Sequence, residues 1–330
     1  MNKIGSDSNY QVKEGVQVIY LAGGCFWGLE KLVQSIPGVL DGTSGYANGN
    51  LTKPTYQQVC NGDTEFRETV RVEYDPKIVS LETILYAYFS VIDPTIENRQ
   101  GNDRGSQYQT GVYYSDEESK VIVERVVAIE KERVSHFVVE VKPLENFYEA
   151  EEYHQNYLDK NPTGYCHISK FEFDKVKNIV VDASKYKKPE KDEISKNLSD
   201  IEYNVTQKAA TEKPYSHEYD ELFEEGIYVD IVTGEPLFSS KDKYDSGCGW
   251  PAFDKTIDEN TIVEKKDNSF GMIRTEVVSR VGNSHLGHKF ENDPVSPNGI
   301  RYCINGSSLR FIPKVNMEKE GYGYLLGIFS

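Results

Sequence analysis

The sequence has 330 residues, 38% hydrophobic and 27% charged, which is long for one domain and comfortable for two, each with its own core. A net charge of −16 argues against a nucleic-acid partner, because phosphate binding needs clustered Lys and Arg. No apolar run is long enough to span a bilayer, and the N-terminal MNKIGSDSNYQVKEG lacks the apolar centre of a signal peptide, so a cytoplasmic protein with no membrane partner is expected.

After a polar extension, residues 1–15, the run VQVIYLAGG (16–24) reads as a buried strand. FWGLEKLVQSI then places Phe26, Leu29, Leu32, Val33 and Ile36 at helical spacing, stopped by Pro37-Gly38. RETVRVEYD (67–75) alternates as a strand does, and SLETILYAYFSVID (80–93) predicts a helix behind a Ser cap. YSDEESKVIVERVVAIEKERV predicts a charged surface helix, and VVEVKPL another strand. Strands and helices mixed in this way predict an α/β or α+β domain over 16–170. Residues 171–198, rich in Lys, Asp and Ser, read as a linker. Beyond it, IYVDIVTGEPLF, FGMIRTEVVSRV and RYCINGSSLRFIP alternate between Gly-, Pro- and Asn-containing breaks, which predicts a mostly antiparallel β domain over 199–330.

The five cysteines, Cys25, Cys60, Cys166, Cys248 and Cys303, are too few and too scattered for a disulfide scaffold, and none forms a C-x-x-C pair. Cys25 sits where a strand turns into a helix, and the positive end of the helix dipole favours a thiolate there. Its glycine neighbours leave room for a substrate, and Phe26 and Trp27 could form an apolar pocket; the plainer reading makes all three core residues. On the following strand, Glu68 shares a face with Val70, Val72 and Tyr74, so burial would raise its pKa and keep it as a proton donor. The pattern leaves open whether Glu68 instead lies at the strand end in solvent.

GGCFWG, PTYQQVC, FRETVRVEYDP, QGNDRGSQYQTGVYY and NPTGYCHI together resemble peptide methionine sulfoxide reductase A over roughly 16–170. The resemblance implies a two-layer α/β sandwich, with Cys25 as nucleophile, Phe26 and Trp27 receiving the substrate methyl, and Glu68 protonating the sulfoxide oxygen. It further implies that Tyr56 and Tyr108 bind that oxygen, with Asp103 in support. The chemistry suits these residues: a sulfoxide needs a thiolate for its sulfur, an acid and donors for its oxygen, and an apolar cup for its methyl. The resulting sulfenic acid is condensed to a disulfide by a second thiol. Cys166, in a Gly- and Pro-containing stretch, is preferred for that task, a choice the resemblance supports; Cys60 is expected to end a helix, pack inward and be structural.

In the second half, SGCGWPAF again flanks a cysteine with glycines beside a Trp, GNSHLGHKF offers two histidines, and RYCINGSSLRF places Arg301 and Cys303 on one strand face, where the cation could favour a Cys303 thiolate. His285 and His288 read either as satisfied core or surface residues or, with Cys303, as metal ligands, but no third ligand pattern accompanies them, so no metal is expected. These motifs resemble peptide methionine sulfoxide reductase B over roughly 199–330. The resemblance implies Cys303 as nucleophile, Cys248 as resolving thiol, Trp250 in the methyl pocket, His285 and His288 at the sulfoxide oxygen, and Arg301 and Asn305 in the site. The two C-x-x-C pairs that bind structural zinc in many members are missing, so no zinc is expected. Asn292 stands where the family has an acid, with Asp293 one place on, so that role is left unassigned.

Each sulfur epimer of methionine sulfoxide is known to have its own reductase, so the fusion implies action on the S epimer in the first half and the R epimer in the second, on free or protein-bound substrate. It implies no cofactor beyond an external thioredoxin-like reductant. The rival readings are a thiol peroxidase or disulfide oxidoreductase, which has no need of an aromatic methyl cup, and a metal-binding or scaffold protein.

Overall fold

The computed structural model describes residues 6–7, 10–11 and 13–330, and the chain divides into two compact units that meet between Ser184 and Lys185. In the first unit, β1 (Ser6–Asp7) and β2 (Gln17–Ala22) are followed by α1 (Phe26–Gln34), β3 (Val39–Ala47), α2 (Tyr56–Cys60), β4 (Arg67–Tyr74) and α3 (Leu81–Phe89). The small hairpin β5 (Arg99–Gln100) and β6 (Asp103–Arg104) leads to β7 (Gly111–Tyr114), α4 (Glu117–Glu132), β8 (Glu140–Pro143), β9 (Asn146–Glu149), α5 (Tyr157–Lys160) and α6 (Lys170–Lys177). Seven strands form one sheet in the order β1-β9-β3-β4-β2-β7-β8, antiparallel at its centre and parallel at its two edges. The helices start where the side chains permit. Ser80 accepts a hydrogen bond from the Thr83 N–H at the head of α3, and Asp116 does the same for Ser119 at the head of α4.

β4 lies between β3 and β2, with α1 packed on β3 and β4. Its alternation therefore does not separate a core face from a solvent face. Thr69, Arg71 and Glu73 are buried as deeply as Val70 and Val72, because the N-terminal segment and β9 supply partners for the polar side. Arg71 pairs with Asp7 at 2.9 Å and with Glu149 at 3.0 Å.

The second unit carries α7 (Lys191–Asn197) and α8 (Asp200–Lys208), then β10 (Gly226–Asp230), β11 (Pro236–Ser239), β12 (Lys243–Tyr244), β13 (Ala252–Phe253) and β14 (Ile262–Asp267). The remaining strands are β15 (Arg274–Ser279), β16 (His285–Glu291), β17 (Ile300–Ile304) and β18 (Leu309–Pro313). They form a three-stranded sheet, β11-β10-β18, and a six-stranded sheet, β12-β13-β17-β16-β15-β14, with every recorded pairing antiparallel. Tyr228, Phe238, Phe253, Leu286 and Ile304 share a core to which both sheets contribute.

The stretch 171–198 has structure of its own. Val176 and Val181 are buried, and Asp182 accepts a hydrogen bond from Ser80 at 2.6 Å, so the chain as far as Ser184 belongs to the first unit. No helix among the described residues is long and apolar enough to cross a membrane.

Candidate active sites

Cys25 is the N-cap of α1 and is 7% exposed. The turn that delivers it needs Gly24, whose φ is +80° and whose position has no room for a Cβ beside Gln100. Burial, followed by Glu68 when it is ionised, pushes the Cys25 thiol up, and the hydrogen bond to the Trp27 backbone pulls it down. The expected helix position is therefore present, and burial there acts against the expected thiolate.

Glu68 is 1% exposed and not at a solvated strand end. Burial raises it to about 8, while the Phe26 N–H, donating to its Oε2 at 3.1 Å, acts in the opposite direction. Its Oε1 is buried without a hydrogen-bond partner. Tyr56 opens α2 behind a Thr55–Gln58 capping box, and Tyr108 closes a short 3-10 turn; both phenols are raised by burial and then by Glu68. Asp103, raised by burial, faces His167 across 4.0 Å. The charges of Asp103 and Cys166 both act on Cys25.

Cys166 packs on the first turn of α1, where a Cβ on Gly28 would come within 2.7 Å of its Sγ. The second thiol is thus held against Gly28, the residue one helical turn along the chain from Cys25. Cys60 departs from expectation. It ends α2, but it is exposed, and its thiol hydrogen-bonds with Tyr56, because α2 is a single turn lying at the surface with only Val59 buried.

Phe26 is buried, and two residues that the sequence reading missed fix Trp27. Its indole N–H donates to His154 Nδ1 at 3.1 Å, and its ring stacks on Tyr157 at 3.7 Å and 13°. An indole can only donate, so this Nδ1 carries no proton, in keeping with the burial that lowers the His154 pKa. The available signal was a His and a Tyr three apart in the aromatic-rich EEYHQNYLDK.

In the second unit, β17 places Cys303 opposite Ala252 of β13 and His288 of β16. The Cys248 and Cys303 sulfurs are 3.3 Å apart. The hydrogen bond from Cys303, helped by Ser246 and Arg301, pushes Cys248 down to about 5; the same bond and burial push Cys303 up. Arg301 lowers Cys303 by its charge, as its shared strand face suggested, and it has a second partner as well. Its side chain bonds Cys248 directly and reaches Cys303 by charge alone. Its Nε also lies 2.6 Å from Asp293, and its guanidinium stacks over Phe290. Asn292 has a left-handed φ of +59° and is exposed, so the next residue, Asp293, meets the arginine.

A cavity of about 110 Å³ opens beside Cys303, walled by Trp250, His288, Arg274 and Asn305 among others. His288 pairs with Asp267 at 2.8 Å. His285 pairs with Glu276 at 2.7 Å and stands against the His288 ring, outside the cavity wall. No group of three or more His, Cys, Asp or Glu among the described residues is arranged to hold a metal ion.

Two pairs of free thiols, Cys25 with Cys166 and Cys248 with Cys303, each with a tryptophan nearby, define a two-site thiol oxidoreductase. Residues 17–187 match the family described as peptide methionine sulfoxide reductase, and residues 198–313 match the SelR domain. The chain belongs to the peptide methionine sulfoxide reductases, as a fusion of the A and B types, and both domains reduce methionine sulfoxide, the first the S-oxide and the second the R-oxide. Among solved structures, reduced Mxr1 from Saccharomyces cerevisiae is 34% identical over 50% of this chain and 97% of its own, with a TM-score of 0.47. Methionine sulfoxide reductase A of Corynebacterium diphtheriae is 36% identical over 47% and 79%, with a TM-score of 0.42.

Proposed function

We propose that the S-oxide is reduced at Cys25 and the R-oxide at Cys303, each through a sulfenic acid and an intramolecular disulfide. The observation that carries the first assignment is the buried Glu68 Oε1, a carboxyl oxygen without a protein partner beside the residue that follows Cys25. With Phe26 and Trp27 around the methyl, the Cys25 sulfur attacks the substrate sulfur as Glu68 gives its proton to the oxygen. The hydroxyl passes from the substrate sulfur to the Cys25 sulfur as the substrate S–O bond and the new sulfur–sulfur bond break; methionine leaves two electrons reduced, Cys25 is left as the sulfenic acid, and the thiol proton restores Glu68. Tyr56 and Tyr108 hold the oxygen, with Asp103 in support. Cys166 then displaces that hydroxyl as water and forms the disulfide.

In the second domain the 3.3 Å sulfur separation supports the same sequence, with Cys303 as nucleophile and Cys248 as resolving thiol. Trp250 cups the methyl, His288 serves the oxygen with His285 behind it, and Arg301 and Asn305 complete the site. An internal disulfide needs an external dithiol, so the donor is a thioredoxin-like protein, with no cofactor and no structural zinc. Protein-bound and free methionine sulfoxide are both substrates, and the work is cytoplasmic repair of oxidised protein. The first unit is read as a two-layer α/β sandwich, supported by α1 and α4 packing on the sheet. The catalytic domains are taken as 16–170 and 199–330.

Epimerically pure substrates test the assignment. Cys25→Ser abolishes turnover of the S form only, and Cys303→Ser that of the R form only; loss of both activities with either change would overturn the two-site reading.

A further inference from the structure

The R-site cavity is closed on one side by a segment with no secondary structure of its own. α8 ends at Ala209 in the left-handed region, and residues 209–213 then cross to the active site without helix or strand. Such a segment has no backbone ladder to fix it, so its position depends on side chains. Thr211 from this segment lines the cavity.

The neighbouring Glu212 is 5% exposed. Its carboxylate accepts hydrogen bonds from the Gly306 N–H at 2.6 Å and the Ser307 N–H at 2.8 Å, and also from the Ser307 hydroxyl. These donors belong to the turn that follows Asn305 at the end of β17. Glu212 also donates its own N–H to Asn305 Oδ1 at 3.0 Å, and its carbonyl accepts the Trp250 indole N–H at 3.2 Å. Asn305 is in turn fixed to β16, donating Nδ2 to the Leu286 carbonyl at 2.9 Å. One residue therefore ties together the pocket tryptophan, the pocket asparagine and the turn beyond the reacting strand. Charge-assisted bonds of this length are the strong ones, and a buried carboxylate keeps its charge only where donors surround it.

We infer that Glu212 is the positioning residue of the R-site methyl cup, fixing Trp250 and Asn305 against Cys303 and so setting how tightly the site selects a methyl group at the sulfoxide sulfur. The inference rests on the reading of the Cys303 cavity as the R-sulfoxide site. The bond from Trp250 goes to the Glu212 backbone, so substitution of the side chain keeps that acceptor but frees the segment that carries it.

The test compares Glu212→Ala and Glu212→Gln with wild type in the full chain, using R-epimers of methionine sulfoxide and ethionine sulfoxide. Removing the carboxylate leaves three donors unpartnered and is expected to lower kcat/KM for the methyl substrate about tenfold or more, largely through KM. The preference for methyl over ethyl is expected to shrink, because a loosened cup admits the longer group. S-epimer turnover in the same chain stays at its wild-type value, which confines the effect to the second unit. In a Trp27→Phe background, where Trp250 is the only tryptophan, Glu212→Ala shifts the indole emission to the red. If the alanine variant fails to fold, the glutamine variant decides, since it keeps size and one acceptor oxygen: a relaxed methyl preference supports the inference, and an unchanged one overturns it. Wild-type chain that fails to reduce the R-epimer at Cys303 would instead sink the site reading itself.

Discussion

The Phe26 backbone N–H donates to Glu68 Oε2 at 3.1 Å, tying the buried acid to the residue after Cys25. The bond orients the carboxyl without neutralising the cost of burial, and Glu68 stays near 8. S-epimer turnover is therefore expected to fall as pH rises through about 8, as the proton donor is lost. Glu68→Gln, which cannot donate an acidic proton, should reduce S-epimer kcat about a hundredfold and remove that alkaline limb. Initial rates on the pure S substrate between pH 6 and 10 check both; an unchanged alkaline limb in the variant would assign the titration to another group.

The same carboxyl links stability to pH. Its folded value near 8 lies above its ordinary 4.5, so the folded unit keeps a proton that the unfolded chain releases between those limits. The stabilisation linked to that proton is complete below about 4.5 and lost once pH passes about 8. Glu68→Gln has no such loss. Its urea midpoint for the first unit should gain on wild type from pH 5 to 8 and keep a constant lead above that; a lead that grows as pH falls would contradict the burial account.

Cys166 and Cys60 should separate cleanly. Cys166 lies against Gly28 of α1, whereas Cys60 is exposed and bonded to Tyr56. Cys166→Ser is expected to form one methionine per chain from the S-epimer and then stop with thioredoxin as donor, leaving a sulfenic acid on Cys25 that a carbon nucleophile traps. Cys60→Ser should keep cycling. Sustained turnover by Cys166→Ser would move the resolving task elsewhere.

Much of both sites is legible in the sequence because the reacting residues lie in short segments whose local structure is simple. Cys25 follows from a strand-to-helix turn, and Cys303 from an alternating strand. Alternation also put Glu68 among apolar neighbours, but it missed that the other face of β4 is buried too, since Asp7 and Glu149 come from distant segments to meet Arg71. The residues that orient the pockets were not legible for the same reason. His154 and Glu212 act from 127 and 38 positions away along the chain, on Trp27 and Trp250 respectively. Arg301 illustrates a subtler limit. Strand period places it with Cys303, on which it does act by charge, but the loop carrying Cys248 gives it a second sulfur to bond, and no periodicity reports where a loop ends up.

That loop gives the last prediction. With sulfurs 3.3 Å apart, Cys248 and Cys303 cannot both ionise at neutral pH, since like charges at that distance repel strongly. Of the two, Cys248 is the one pushed towards the thiolate, by the Cys303 hydrogen bond first and by those of Ser246 and Arg301 besides, so the single negative charge is expected there. Cys303 is then the protonated partner, and its attack on a sulfoxide requires its proton to pass to Cys248 across the short contact. Alkylation followed by mass spectrometry reads the charge directly, because only thiolates react quickly. In the resting enzyme Cys248 should be modified faster than Cys303 at pH 6, with a rate midpoint near 5. In Cys303→Ala, which removes the main hydrogen bond, that midpoint should climb towards the ordinary thiol range, while Arg301 and Ser246 keep it from arriving fully. Faster labelling of Cys303 at pH 6 would place the charge on the nucleophile from the start and make the proton transfer unnecessary.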